Sequence, residues 1–211
     1  MHGTRDSSAS FRATALLLED IHVVLYDRRG QGRSRDDDGP ASFADHVDDL
    51  LDVMGDRPVS VVGHSWGGHV ALAAAIRRPE LVRSVGVFET SLLWLDWWSR
   101  QTKDAVLAFA ARGWNGADPV ELAQMRDEVE MIQTAPYDLT MLRVPCVMAC
   151  GADSRASEIA SVMRAAEVYG AELITIDAAT HYVHRSHPMS FAGFVRHVVG
   201  LRVSDGDQAS G

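Results

Sequence analysis

Val59-Ser60-Val61-Val62-Gly63-His64-Ser65-Trp66-Gly67-Gly68 decides how this chain is read. Its β-branched start predicts a buried strand that ends at Gly63, and helix-forming residues from Val70 to Ile76 follow at once. A turn that passes straight from strand into helix crowds the backbone against itself. Glycine at positions 63 and 67 removes two Cβ atoms from that crowding and leaves Ser65 exposed at the tip of the sheet. The helix beyond offers unpaired N–H groups and a partial positive charge, a setting that suits a developing oxyanion.

Working outward, the same alternation of strand and helix fills the chain. Residues 9–19 predict a short helix, and Ile21 to Asp27 a strand. Ser42 to Met54 predicts a helix with Ser42 as N-cap, Asp45 three residues on, an apolar face of Phe43, Val47, Leu50, Leu51 and Met54, and Gly55 as its stop. Strands follow at Val82–Glu89, Val144–Cys150 and Glu172–Asp177, with helices at 155–169 and from Pro188 onward. The fold class is therefore α/β: a mostly parallel sheet with helices on both faces.

Residues 91–140 break that rhythm with an all-helical stretch, in which Asp118-Pro119 supplies a helix start and Leu122, Met125, Val129 and Ile132 an apolar face. Trp94, Trp97 and Trp98 stand at its beginning, either as core filler or as an apolar wall for a ligand.

With 211 residues, 46% of them apolar, the chain can bury one core. Twenty basic against 29 acidic residues give a net charge of −9, which argues against binding nucleic acid or an anionic membrane. The arginines of Arg28-Arg29-Gly30-Gln31-Gly32-Arg33 are followed directly by Asp36-Asp37-Asp38, and the third glycine of a dinucleotide loop is replaced by Arg35. Cys146 and Cys150 are too far apart along one extended strand to bridge each other, so they read as buried thiols in a reducing compartment. The absence of a signal-like start and of a long apolar run leads to the expectation of a soluble, cytoplasmic protein. Oligomeric state is not legible.

Four motifs in order resemble the α/β-hydrolase superfamily over about residues 2 to 200. They are His2-Gly3; Asp27-x-Arg29-Gly30-x-Gly32-x-Ser34; Gly63-x-Ser65-x-Gly67; and Thr180-His181-x-x-His184-x-x-x-Pro188-x-x-Phe191. The resemblance implies Ser65 as nucleophile, His181 as base and Asp153 as the acid, each just after a strand, in the chain order Ser, acid, His. Glu89, at the end of the preceding strand, is the alternative acid, and Asp177 is expected to point aside. Trp66 and Thr4 would donate backbone N–H groups to an oxyanion hole. Residues 91–140 would be a cap, with Trp66, Trp94, Trp97 and Trp98 lining the substrate pocket. The core would then comprise 1–90 and 141–203, with a flexible tail at 204–211.

Serine at the elbow sets the chain apart from relatives that use aspartate there. His181, His184 and His187 are not read as a metal site, and neither metal nor cofactor is expected. His64 and His69 are read as packing or hydrogen-bonded residues. The implied activity is hydrolysis of an ester-type bond in a small or medium apolar molecule. A catalytically silent small-molecule binder and an acyltransferase are the alternatives.

In the resembled fold a central strand precedes His2-Gly3 and lies between the strands ending at Asp27 and Gly63. Without it, two strand edges would be left facing each other. The expectation is an N-terminally shortened fold or a rearranged sheet.

Overall fold

The computed structural model describes residues 1–35, 41–101, 103, 104, 108, 119–134 and 136–201. Much of the helical stretch expected up to Ala111, Asp36 to Asp38 and the tail 204–211 lie outside the described residues. Four parallel strands form one sheet in the order β1 (Val59–His64), β2 (Val82–Phe88), β3 (Cys146–Gly151) and β4 (Glu172–Ile176). Parallel neighbours need long crossovers. Helix α3 (Trp66–Arg77) carries the chain from β1 to β2, and α5 (Ala156–Tyr169) carries it from β3 to β4. Helices α1 (Arg12–Leu16), α2 (Phe43–Met54), α4 (Pro119–Met131), α6 (Val183–Ser186) and α7 (Pro188–Gly200) complete the set used below.

The inner strands β2 and β3 are buried on both faces, and their side chains alternate between two cores. Val85 and Val87 of β2, with Met148 and Cys150 of β3, face one layer built from Val47 and Leu50 of α2, the apolar length of α3, and Val162 and Ala165 of α5. Phe88, Val147 and Ala149 face the other way, against Phe11 and the Phe191, Phe194 and Val198 stripe of α7. Helix α3 lies between sheet and neighbours with Val70, Ala71, Leu72, Ala74 and Ala75 fully buried, as a helix apolar all round must be. The capping box at Ser42 and Asp45 forms as the sequence implies, with Ser42 N–H donating to Asp45 at 2.7 Å.

The expected strand at 21–27 does not form. Those residues run outside the sheet, half-buried or exposed until Asp27. A ladder needs a neighbour about 4.8 Å away, and among the described residues Met1 and His2 stand between 21–27 and β1. Met1 takes one rung beside β1: its amine donates to the Val62 carbonyl at 2.8 Å, and its carbonyl accepts from His64 N–H at 3.0 Å. On its other side Tyr26 hydroxyl reaches Met1 Sδ at 3.2 Å, and Arg28 N–H donates to His2 Nε2 at 2.9 Å. The sheet is thus neither closed up nor reordered around 21–27; it stops at β1 with a one-residue rung. Burial, then the Arg28 charge, pushes the Met1 amine down to about 5. Among the described residues no helix is long and apolar enough to cross a membrane.

Candidate active site

The C-terminal ends of parallel strands share one edge, and the candidate side chains Ser65, Glu89 and His181 gather there. Ser65 follows β1 in a strained conformation (φ 52°, ψ −125°) that a side-chain-bearing residue rarely adopts. Glycine makes the turn possible. A Cβ at Gly63 would stand 2.5 Å from Gly68 Cα, and one at Gly67 would stand 2.4 Å from the His2 carbonyl oxygen. Ser65 N–H donates to the Phe88 carbonyl at 2.8 Å, and the Thr90 hydroxyl donates to the Ser65 carbonyl at 3.0 Å. The elbow is therefore tied to the end of β2. Four non-glycine residues among those described have positive φ, and all belong to this edge: Arg5, Ser65, Glu89 and Ala178.

The carboxylate that meets His181 is Glu89. His181 Nδ1 donates to Glu89 Oε2 at 2.8 Å. The other Glu89 oxygen accepts from Gly151 N–H at 2.9 Å and from the Ser154 hydroxyl. Burial works to raise the Glu89 carboxyl, but hydrogen bonds from His181, Gly151 and Ser154 outweigh it and hold the group below its ordinary value. It is an ionised, buried acceptor whose geometry fixes one imidazole tautomer.

Asp153, which the resemblance implies as the acid, makes no hydrogen bond or ion pair with His181 among the described residues. It is exposed, and what it offers the site is its backbone: Asp153 N–H donates to the Ala179 carbonyl at 3.0 Å. That bond, with Ala152 N–H to Ile176 at 2.9 Å, holds the turn that presents His181. The physical reason lies in the turn after each strand. Glu89 N–H is still bonded to Ala149 at 2.9 Å, as a continuation of β2, and its positive φ swings the side chain in between the strand ends. After β3, Ala152 N–H likewise stays bonded to Ile176, and Asp153 comes one residue later, with its side chain exposed. Asp177 is exposed, as expected.

His64 packs as a hydrogen-bonded residue. Its Nε2 donates to the His181 carbonyl at 2.7 Å, joining the histidine loop to the residue beside Ser65. Among the described residues, Ser65 Oγ itself takes part in no hydrogen bond; catalytic contacts of this kind often tighten only around substrate. His69 Nδ1 meets the Tyr137 hydroxyl at 2.9 Å, and burial pushes its imidazole down to about 3.

The two residues expected to supply oxyanion donors lie beside Ser65. Trp66 opens α3, and a Cβ on Gly3 would stand 3.0 Å from Ser65 Cβ, so the Gly3–Thr4 peptide passes directly over the serine. The tryptophans are packed. The Trp66 indole is 4% exposed, edge-on to Phe43 and His46, and donates to the Glu128 carbonyl at 3.3 Å. Trp94 lies against His69 and Tyr137, Trp97 donates to Ser161 of α5 at 3.4 Å, and Trp98 is buried.

Among the described residues, two groups offer ligand atoms within 4.8 Å of one another, Asp6–His64–His184 and Glu89–Glu158–His181. Their carboxylates already have partners: Asp6 bonds His184 and Arg185, Glu89 the three donors above, and Glu158 Arg155. Burial raises both thiols, Cys146 to about 12, so neither cysteine supplies a thiolate.

The sequence reading treated Arg28 as part of a structural turn and did not single out Glu128. They form a buried ion pair at 2.8 Å beside Gly3 and Thr4. Their signal was the spacing of Glu121, Gln124 and Glu128, one face of α4, which meets Arg35, Gln31 and Arg28 in turn. Asp27 does hold the turn: it accepts from Ser8 N–H at 2.7 Å and from Arg33 N–H at 3.0 Å.

Comparison with known proteins agrees with this architecture. The sequence profile described as the alpha/beta hydrolase family matches residues 1–194. RutD of Azorhizobium caulinodans is 40% identical over 68 residues, 31% of this chain and 26% of that protein. Lipase LipV of Mycobacterium tuberculosis is 32% identical over 115 residues, 51% of this chain and 42% of the lipase. This chain thus matches well under half the length of either relative. A hydrolase from Pseudomonas aeruginosa PA01 shares the fold with a TM-score of 0.72 at 22% identity, over 95% of this chain and 88% of that one. The chain belongs to the alpha/beta hydrolase family.

Proposed function

We propose that this member of the alpha/beta hydrolase family is a serine hydrolase that cleaves an ester-type bond in a small or medium apolar molecule. The observation that carries the reading is the His181–Glu89 bond at the strand edge that also bears the strained Ser65 turn. A serine hydroxyl needs an adjacent base, and a base needs an orienting carboxylate. Ser65 Oγ attacks the ester carbonyl while His181 Nε2 takes its proton. Glu89 keeps the Nδ1–H tautomer and stabilises the imidazolium. The tetrahedral oxyanion accepts hydrogen bonds from Thr4 N–H and Trp66 N–H. His181 then protonates the departing alkoxide, and water, deprotonated by the same imidazole, releases the acid from the acyl-enzyme. The Lipase LipV likeness supports an ester bond, and the likeness to the carbamate hydrolase RutD supports the related carbamate bond. Residues 91–140 are read as the cap over this edge, and no step calls for a metal or cofactor.

The test is hydrolysis of p-nitrophenyl acetate together with intact-mass labelling by a fluorophosphonate. Turnover and a single adduct on the native chain, both lost in Ser65→Ala, are expected. A native chain that neither turns over ester nor takes the probe would be a silent binder, contrary to this reading.

A further inference from the structure

The peptide joining Gly3 to Thr4 is held from behind by an unusual number of groups. Its carbonyl accepts from Arg28 Nη2 at 2.9 Å and from His2 Nδ1 at 2.9 Å. The His2 carbonyl accepts from Arg28 Nε at 3.1 Å, so one guanidinium bonds two successive peptides. In a trans peptide the N–H points opposite the C=O. Fixing the Gly3 carbonyl on the Arg28 side therefore aims Thr4 N–H to the other side, and charge-assisted bonds to the carbonyl polarise the N–H as well. The same guanidinium lies over the Trp66 indole, 4.1 Å from its centroid.

Arg28 is 1% exposed, and among the described residues the carboxylate paired with it is Glu128 of α4, whose side chain is 7% exposed. Glu128 Oε1 takes Arg28 Nη1 at 2.8 Å, and Oε2 takes the Thr4 hydroxyl. Its carbonyl takes the Trp66 indole N–H at 3.3 Å. A closed circuit results: Arg28 to Gly3, Gly3 to Thr4, Thr4 to Glu128, and Glu128 back to Arg28. A buried guanidinium without its partner is strongly unfavourable, so this circuit can close only with α4 in place.

We propose that Arg28 and Glu128 are positioning residues that set the oxyanion donors, Thr4 and Trp66, and that the seating of α4 over the strand edge thereby completes the hole. This rests on the serine-hydrolase reading above. It adds that the segment carrying α4 does more than cover substrate: its Glu128 is part of what makes the site competent. A lysine at position 28 could not replace the arginine, because one ammonium cannot bond both carbonyls and the carboxylate in a plane.

The experiment compares p-nitrophenyl acetate with its thiono analogue, in which sulfur replaces the carbonyl oxygen, on the full chain. Sulfur accepts hydrogen bonds poorly, so an enzyme with a working oxyanion hole strongly prefers the oxygen ester. Glu128→Gln and Arg28→Lys are expected to lower kcat by about 10- to 100-fold, below the cost of deleting a donor outright, with KM within about threefold. The oxygen-to-thiono rate ratio should fall towards the uncatalysed ratio in both. Thr4→Val, which leaves the ion pair intact and removes only the hydroxyl link, should lower kcat by roughly 3- to 10-fold with a fall in the same ratio. It decides the matter if a charge-altering variant fails to give a cooperative melt. Unchanged kcat, a change in KM alone, or a loss of kcat at an unchanged oxygen-to-thiono ratio would overturn the proposal while leaving the hydrolase reading standing. An inactive native chain would overturn both.

Discussion

The ends of β2 and β3 each carry a carboxylate within a few residues of the strand, yet only one meets the histidine. Glu89 is 2% exposed, bonded to His181, Gly151 and Ser154, while Asp153 lies in solvent and contributes only its backbone N–H. The difference is made by backbone geometry. Glu89 remains hydrogen-bonded to β3 and turns through a positive φ, which drops its side chain between the strand ends. Beyond Gly151, Ala152 N–H still bonds Ile176, so Asp153 falls one residue past the position that matches Glu89, and the absence of a Cβ at Gly151 lets the Ala179 carbonyl come close: a Cβ would stand 2.1 Å from it. One strand end supplies the charge, and the other supplies the frame that brings the histidine to it.

The largest effect should come from removing the charge. Glu89→Gln is expected to lower kcat for ester hydrolysis by about 10³- to 10⁴-fold, through loss of the tautomer and of imidazolium stabilisation. Steady-state kinetics at fixed pH would show it. Disturbing the frame should come next. Gly151→Ala forces the 178–180 turn aside and misplaces His181, for an expected loss of about 10²-fold. A lowered melting temperature should accompany it.

Burial near this edge also sets the response to acid. Burial, reinforced at His2 by the Arg28 charge, pushes that imidazole down to about 3, His46 to about 4 and His69 to about 3, and lowers His64 well below its ordinary value. In the unfolded chain these imidazoles take up protons as pH falls through about 6.5, while the folded chain refuses them until about 4. Stability is therefore present above pH 6.5 and is lost as pH falls from 6.5 towards 4. The Met1 amine acts in the same sense between about 8 and 5. The melting temperature should drop by on the order of 10 °C from pH 7 to pH 5. A flat profile over that range would contradict the burial of these groups.

Smaller effects sharpen the comparison of the two carboxylates. Ser154→Ala removes one of three donors to Glu89 and should reduce kcat only about three- to tenfold, equivalent to ~1 kcal/mol. Asp153→Asn should leave kcat within about twofold, as for an exposed substitution that keeps its backbone bond.

What was legible in the sequence follows from how local its cause is. The elbow could be read because the crowding that demands Gly63 comes from Gly67 and Gly68 themselves, whereas the contact that demands Gly67 comes from Met1 and His2 and is not local. The strand periods at β1 to β4 and the capping box at Ser42 are local too. The sequence favours Asp153 as the acid, with Glu89 as the alternative, and the order Ser, acid, His fits both; only the three-dimensional placement of the strand ends separates them. The run 21–27 carries the apolar composition of a strand, but a strand exists only with a neighbour, and beside it stands little more than Met1. Arg28 and Glu128 are a hundred residues apart, and the one local cue, the spacing of Glu121, Gln124 and Glu128 on α4, does not say which residues that face meets.

The central claim is that Ser65 is activated by His181 through Glu89, and the rate of fluorophosphonate labelling tests it most directly. Intact-mass time courses would be run on the native chain, Ser65→Ala, Glu89→Gln and Asp153→Asn, each first shown to melt cooperatively. The account predicts one adduct at the native rate in Asp153→Asn, labelling slowed by about a hundredfold or more in Glu89→Gln, and none in Ser65→Ala. Native-rate labelling of Glu89→Gln beside a slowed Asp153→Asn would contradict it.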